Sequence, residues 1–366
     1  MSNSESLVFY VLSFLASAAL FHIGQRTKRR VFTVLAILIP VLIGGLRYNV
    51  GVDYEAYREI VTTAANERSI FFIRYPGIEP AISLFGYLPW QAFFVITSFI
   101  TILFFYLGFR RFKTKHIGLC MLLVMMVMYP QALGTIRQGV SMAVCFFAFS
   151  FIPERRLWPF LFSIAFATLF HYSSLVMLLI YPLYHFVVQM PTTNRKFLVR
   201  LMTLIVVFVA VVIIGFRYLN YIPILGKYAT YASESTMHEY SEFLTSHNIL
   251  PELAATAFII MFYNHLVKNN KSGRFMMTCI FLMMIITLTG FFVPFASRLS
   301  DYFMPFFFLA FTSAIDTFDD VHSRYIMASA VIAYSLLFFV AGIYINGSGE
   351  IFPYRTLFEL AGFLRA

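Results

Sequence analysis

Residues 31–46 read VFTVLAILIPVLIGGL, sixteen positions without a charge, and runs of this kind recur along the whole chain. Where such a run meets hydrocarbon, its backbone N–H and C=O groups have no water to bond. Only helices and closed barrels satisfy them. A barrel strand alternates apolar and polar residues with a period of two; these runs do not, so they are helices. Composition agrees. The 366 residues are 60% hydrophobic and 12% charged, with a mean hydropathy of +0.79, whereas soluble domains carry about 25% charged residues. The expected fold class is an all-α polytopic membrane protein.

A hydrocarbon core about 30 Å thick takes roughly 20 apolar residues per helix. The sequence places spans near 7–24, 31–46, 91–109, 117–133, 138–152, 157–170, 173–188, 200–216, 249–266, 275–293, 300–315 and 326–345. That is about 12 transmembrane helices in a single integral membrane domain, 1–366. The cysteines Cys120, Cys145 and Cys279 fall inside these runs and read as small packing residues.

Charge orients the set. RTKRR (26–30), RRFKTKH (110–116), PERR (153–156), the 195–200 segment, KNNKSGR (268–274) and Arg324 hold 17 of the 27 Lys and Arg residues. Alternating spans bring all of them to one side. Basic loops stay in the cytoplasm, so both termini are expected outside, and the net charge of +10 needs no nucleic acid. The first residues carry Glu5 and no basic residue, unlike a cleavable signal peptide. Two outer segments stand out. The first, 47–90, ends in FFIRYPGIEPAISLFGYLPW, which reads as an interfacial helix between two turn signals. The second, 217–249, carries five tyrosines and reads as a lid or sugar platform, or equally as an aromatic belt.

Arg47, Asp53, Arg137, His171, Arg298 and Arg355 fall at outer ends of spans or in outer loops, where topology has no use for an arginine. Arg137 and Gln138 open a span after Pro130 and Gly134, in MYPQALGTIRQGV. A guanidinium beside the N–H groups of a helix start suits a phosphate; the alternative is an arginine snorkelling to the interface. Arg298 opens another span, with Asp301 three residues on as a competing salt-bridge partner. Arg47 leads RYNVGVDYEAY. Here Gly51 permits a positive φ, and Asp53 is a general base or a partner for Arg47. Tyr54 and Tyr57 are sugar contacts or belt residues. His171, in LFHYSSLVM, is a second candidate base or a hydrogen-bonded structural residue. Tyr354 and Arg355, in IFPYRTLF, are substrate contacts or a structural turn.

Several arginines, few carboxylates and no DxD-type acidic pair point to stabilisation of a pre-formed anion without a divalent metal. No two histidines have metal-ligand spacing. A Walker A motif and a dinucleotide fingerprint are both missing from the sequence, and no cofactor is expected. An outward site has no cytosolic nucleotide sugar, so its activated substrate is lipid-borne. A polyprenyl diphosphate sugar fits, with arginine forks on the diphosphate and the isoprenoid tail in the bilayer.

R-Y-x-x-G-x-D-Y-x-x-Y at 47–57, Glu79-Pro80, Arg137-Gln138, F-H-Y-S-S at 170–174 and P-Y-R at 353–355 together resemble the EpsG family. These are Wzy-like polymerases of exopolysaccharide and O-antigen repeat units, and the resemblance runs from about residue 40 to 360. It implies a GT-C-like, metal-independent glycosyltransferase of the bacterial inner membrane, with interfacial helices on the periplasmic face. Donor and acceptor would both be undecaprenyl-diphosphate-linked oligosaccharides, and a chain-length regulator and a flippase would be its partners. Arg137 and Arg298, with Arg47, would stabilise the departing diphosphate, while Asp53 or His171 takes the acceptor proton. Arg47, Tyr54, Tyr57, Gln138, Tyr354 and Arg355 would bind substrate.

Three other readings compete. An O-antigen ligase uses the same donor chemistry. A metal-dependent GT-C transferase would draw on Asp53 with Glu55. A flippase or transporter would spread charges through the membrane depth, whereas these spans are nearly charge-free.

Overall fold

The structure is a computed structural model, and it describes residues 1–67, 80–189, 257–258, 260–267, 271–289 and 296–358, with short pieces between 195 and 210. Among these residues every regular element is helical, and the one backbone bridge joins Arg47 to Thr356. The chain forms two compact units, residues 1–177 with 318–366, and residues 178–317.

The first unit opens with α1 (Asn3–Thr27). A capping box starts it: Ser2 Oγ accepts from the Glu5 N–H at 3.2 Å, and Glu5 Oε2 accepts from the Ser2 N–H at 2.7 Å. Lys28, at φ 59°, ends it in a left-handed cap. The next helix, α2 (Arg30–Gly45), carries Pro40 in its interior. Proline has no N–H, so the carbonyl four residues back loses its helical donor. That carbonyl, on Ala36, accepts from Ser17 Oγ of α1 at 2.7 Å. The missing bond is thus replaced across the helix pair.

Then come α3 (Tyr54–Asn66), α4 (Pro80–Phe85), α5 (Trp90–Arg111), α6 (Ile117–Gly134, with a π turn at Val124–Met128), α7 (Ile136–Phe149) and α8 (Leu157–Thr168). The second unit contains α9 (Lys271–Thr289), a 3-10 stretch Ala296–Tyr302 and α10 (Met304–Ser313). A further helix, α11 (Val321–Phe338), returns to the first unit and runs on through a π turn to Ile345.

Four described helical stretches, Asn3–Thr27, Trp90–Arg111, Ile117–Gly134 and Val321–Ile345, are long and apolar enough to cross a membrane. Six shorter apolar stretches accompany them, among them Arg30–Gly45, Ile136–Phe149 and Leu157–Thr168. The expected spans near 200–216 and 249–266, Glu79 and the 217–249 segment lie wholly or largely outside the described residues.

In the first unit, hydrogen bonds show which turns share an end. Gln25 donates to the Thr114 carbonyl at 2.7 Å and accepts from the Ile117 N–H at 3.1 Å, joining the 26–30 turn to the 112–116 turn. Arg111 donates to Ser150 Oγ at 2.8 Å and to Glu154 at 2.7 Å, which adds the 150–156 turn. RTKRR, RRFKTKH and PERR therefore gather at one end. At the other end the Gln91 amide donates to the Gly45 carbonyl, and the Ala81 N–H donates to the Leu169 carbonyl at 3.0 Å. The turns carrying Arg47, Asp53, Arg137, His171 and Arg355 all lie at this second end.

Candidate functional site

The turn from Leu46 to Asp53 is held by a segment from the far end of the chain. The Tyr48 N–H donates to the Arg355 carbonyl at 2.9 Å, the Leu357 N–H to Leu46 at 3.1 Å, and the Gly51 N–H to Glu350 at 3.0 Å. Tyr354 fastens this strap from below. Its ring is buried, stacked on Phe9 with centroids 5.0 Å apart, and its hydroxyl donates to the Ile43 carbonyl at 3.0 Å. Tyr354, a candidate substrate contact from the sequence, is thus buried and bonded within the fold. Arg355 is exposed beside it. Gly51 sits at φ 101°, and a Cβ there would lie 2.8 Å from the Leu133 carbonyl oxygen. Only glycine combines that conformation with that approach.

The same Leu133 carbonyl accepts from Arg47. The Arg47 side chain is 1% exposed, with Nη2 donating to Leu133 at 2.8 Å, Nε to the Val50 carbonyl at 3.0 Å, and Nη1 to the Gly44 carbonyl. Its guanidinium carbon lies 4.9 Å from the centre of the Phe94 ring and 5.8 Å from that of Tyr54. Burial lowers its pKa, yet a guanidinium stays charged at any physiological pH. Arg47, a candidate substrate contact from the sequence, is bonded here to three backbone carbonyls.

Asp53, half-buried, precedes α3, whose buried face carries Tyr54, Tyr57, Val61 and Ala64. This 3-4-3 spacing is the helical signal in a stretch read from the sequence as a turn. Tyr54 stacks on Phe94 at 4.5 Å, and its hydroxyl donates to the Arg47 carbonyl at 3.3 Å. Burial raises its pKa to about 12. Tyr57, 7% exposed, reaches toward the start of α7. The Arg137 guanidinium carbon lies 5.6 Å from the Tyr57 ring centre. Burial raises the pKa of the Tyr57 hydroxyl; Arg137, charged and hydrogen-bonded to it, pulls the other way, and the nearby Asp53 carboxylate raises it further. Asp53 stands one helical turn before Tyr57, whose N–H donates to the Asp53 carbonyl at 2.9 Å, and Arg137 lies over the Tyr57 ring, so the three residues are neighbours.

The break between α6 and α7 falls at Thr135, after Gly134, as Pro130 and Gly134 suggested. It leaves Arg137 half-buried and Gln138 buried in the first turn of α7. His171 follows α8, half-buried, and its carbonyl accepts from the Ser174 hydroxyl at 2.9 Å. Arg298 belongs to the second unit, where its side chain is exposed. The structure thus brings Asp53, Tyr57 and Arg137 together and packs Arg47 and Tyr54 behind them. Two residues that the sequence did not single out complete the packing: Phe94 under Arg47, and Trp90, whose ring lies 6.4 Å from Tyr54 and 5.3 Å from the Arg58 guanidinium. They follow Pro89 at helical spacing, where a membrane reading sees only the start of a span.

Among the described residues, no three His, Cys, Asp or Glu side chains gather as a metal-ligand set. Cys120, Cys145 and Cys279 are buried. No curated protein and no solved structure matches the chain. The family model of the EpsG family matches residues 30–356, and with that match covering most of its length, the chain belongs to the EpsG family.

Proposed function

We propose that this protein is a glycosyltransferase that polymerises undecaprenyl-diphosphate-linked oligosaccharide repeat units on the periplasmic side of the inner membrane, without a metal. Both termini would then be periplasmic. Membership of the EpsG family supports a role in making polysaccharide. The observation that carries the chemistry is the Asp53–Tyr57–Arg137 cluster, found at the end of the helices opposite RTKRR, RRFKTKH and PERR. It sets a carboxylate and a guanidinium around one phenol, where a base and an anion ligand can serve a single reaction.

In this mechanism a hydroxyl of the acceptor sugar attacks the anomeric carbon of the donor. The new glycosidic C–O bond forms as the bond to the diphosphate breaks, and its electron pair leaves on undecaprenyl diphosphate. The hydroxyl proton passes to Asp53. Arg137 stabilises the growing charge on the leaving group, assisted by the first-turn N–H groups of α7, with Gln138 and Arg355 as further substrate contacts. His171 is the alternative base. Arg298 is a second candidate diphosphate ligand, tested on its own.

The test is purified protein in detergent or vesicles with a lipid-diphosphate-linked repeat unit, with chelator present, and products run as a ladder. Removing one such charge-stabilising group typically costs about 10²–10³-fold in rate. Arg137→Ala and Asp53→Asn are expected to lose the ladder by at least that factor while accumulating in the membrane like wild type. A full ladder from Arg137→Ala removes the arginine from the mechanism.

A further inference from the structure

We propose that Arg47 is a positioning residue: its guanidinium fixes the Asp53 turn against the start of the Arg137 helix and never touches substrate. This rests on the assignment of Asp53 and Arg137 above. At 1% exposure, the Arg47 side chain has no surface to offer a diphosphate. Its donors go to both sides of its own turn and to one distant segment. Gly44 is in the last turn of α2, Val50 lies three residues before Asp53, and Leu133 lies four residues before Arg137. One rigid, planar group therefore measures the gap between the two chemical residues.

The charge itself has this one use. Among the described residues no carboxylate pairs with Arg47, and its neighbours are three carbonyl oxygens and the faces of Phe94 and Tyr54. Carbonyl dipoles and ring quadrupoles are what compensate a cation held away from water. A buried cation left short of partners is expensive, so the three carbonyls are held where the fork requires them. Gly51 adds a second constraint at the same point, because its backbone covers the Leu133 oxygen that Nη2 bonds. Lysine would keep the charge, but its three tetrahedral donors cannot reproduce the fork.

The test is Arg47→Lys in the full-length protein, with kcat and KM measured for the lipid-diphosphate-linked repeat unit. Displacing a reacting group by about 1 Å costs on the order of 10²-fold. Arg47→Lys is therefore expected to lower kcat by about 10- to 100-fold, leave KM within about threefold, and accumulate normally. In an Asp53→Asn background, followed in long incubations, the same change is expected to add less than about threefold, because coupled residues are non-additive. Phe94→Leu removes the ring face beside the guanidinium but keeps the fork. It should show the same kcat-only loss in milder form, and it serves as the readout if Arg47→Lys accumulates poorly.

A rise in KM with kcat unchanged would make Arg47 a substrate ligand and overturn the proposal. Unchanged kinetics in both variants, or a fully multiplicative loss in the Asp53→Asn background, would overturn it too. If Arg137→Ala and Asp53→Asn alone keep a full ladder, the site assignment falls first, whatever Arg47 does.

Discussion

Tyr57→Phe isolates one atom of the cluster. The ring stays, buried against Phe93 at 5.5 Å between centroids, so packing and volume are conserved. What goes is the hydroxyl that Arg137 bonds. A hydrogen bond to a charged group is worth about 1.5–3 kcal/mol. Arg137 is half-buried rather than enclosed, so water replaces part of the loss and the lower end applies. About 1.5 kcal/mol corresponds to roughly tenfold in rate. If the phenol only orients the guanidinium for the transition state, that tenfold appears in kcat with KM little changed. Steady-state kinetics with the lipid-linked repeat unit reads both numbers, and quantitative blotting of membranes controls for abundance. A kcat within twofold of wild type would show that Tyr57 does not hold Arg137. A loss beyond about 10³-fold would instead put the phenol among the reacting groups.

Gly51→Ala places a Cβ on a residue at φ 101° and 2.8 Å from the Leu133 oxygen, a backbone conformation that alone costs about 1–3 kcal/mol. The variant is expected to unfold at lower temperature and to expose the 46–53 turn to hydrogen exchange; an unchanged Tm and protection pattern would contradict the tight docking described. Tyr54 gives a pH dependence: its pKa is about 12 in the folded protein against 10.0 for an ordinary tyrosine. The folded state holds this proton more tightly, so the contribution is complete below pH 10 and is lost as pH rises toward about 12. Melting of wild type should therefore fall more steeply above pH 10 than melting of Tyr54→Phe, and parallel curves would refute it.

Much of the fold was legible in the chain because partition into hydrocarbon is a local property. Each apolar run carries its own transfer free energy and its own backbone bonds, and α1, α2, α5, α6, α7, α8 and α11 appear where those runs lie. The break before Arg137 was legible too, since Pro130 and Gly134 act within a turn or two of themselves. The helix α3 was harder to see. Its Tyr54, Tyr57, Val61 and Ala64 stripe is helical, but polar residues between them mask it at the resolution of a hydropathy reading.

The two arginines mark the boundary between what composition determined and what tertiary structure decided. From sequence, Arg47 and Arg137 look alike: each lies at the end of an apolar run and each is a candidate for an anion. Sequence determined the helices, the end at which both arginines stand and the family motif around them. It left open which one is buried, because that depends on what comes together from elsewhere. Arg47 is buried because the Leu133 carbonyl, 86 residues away, meets it, and because Tyr354, 311 residues from its acceptor Ile43, ties the strap over that turn. Arg137 lies over the Tyr57 ring and keeps part of its surface. Burial is a sum over distant neighbours, and no local pattern contains that sum.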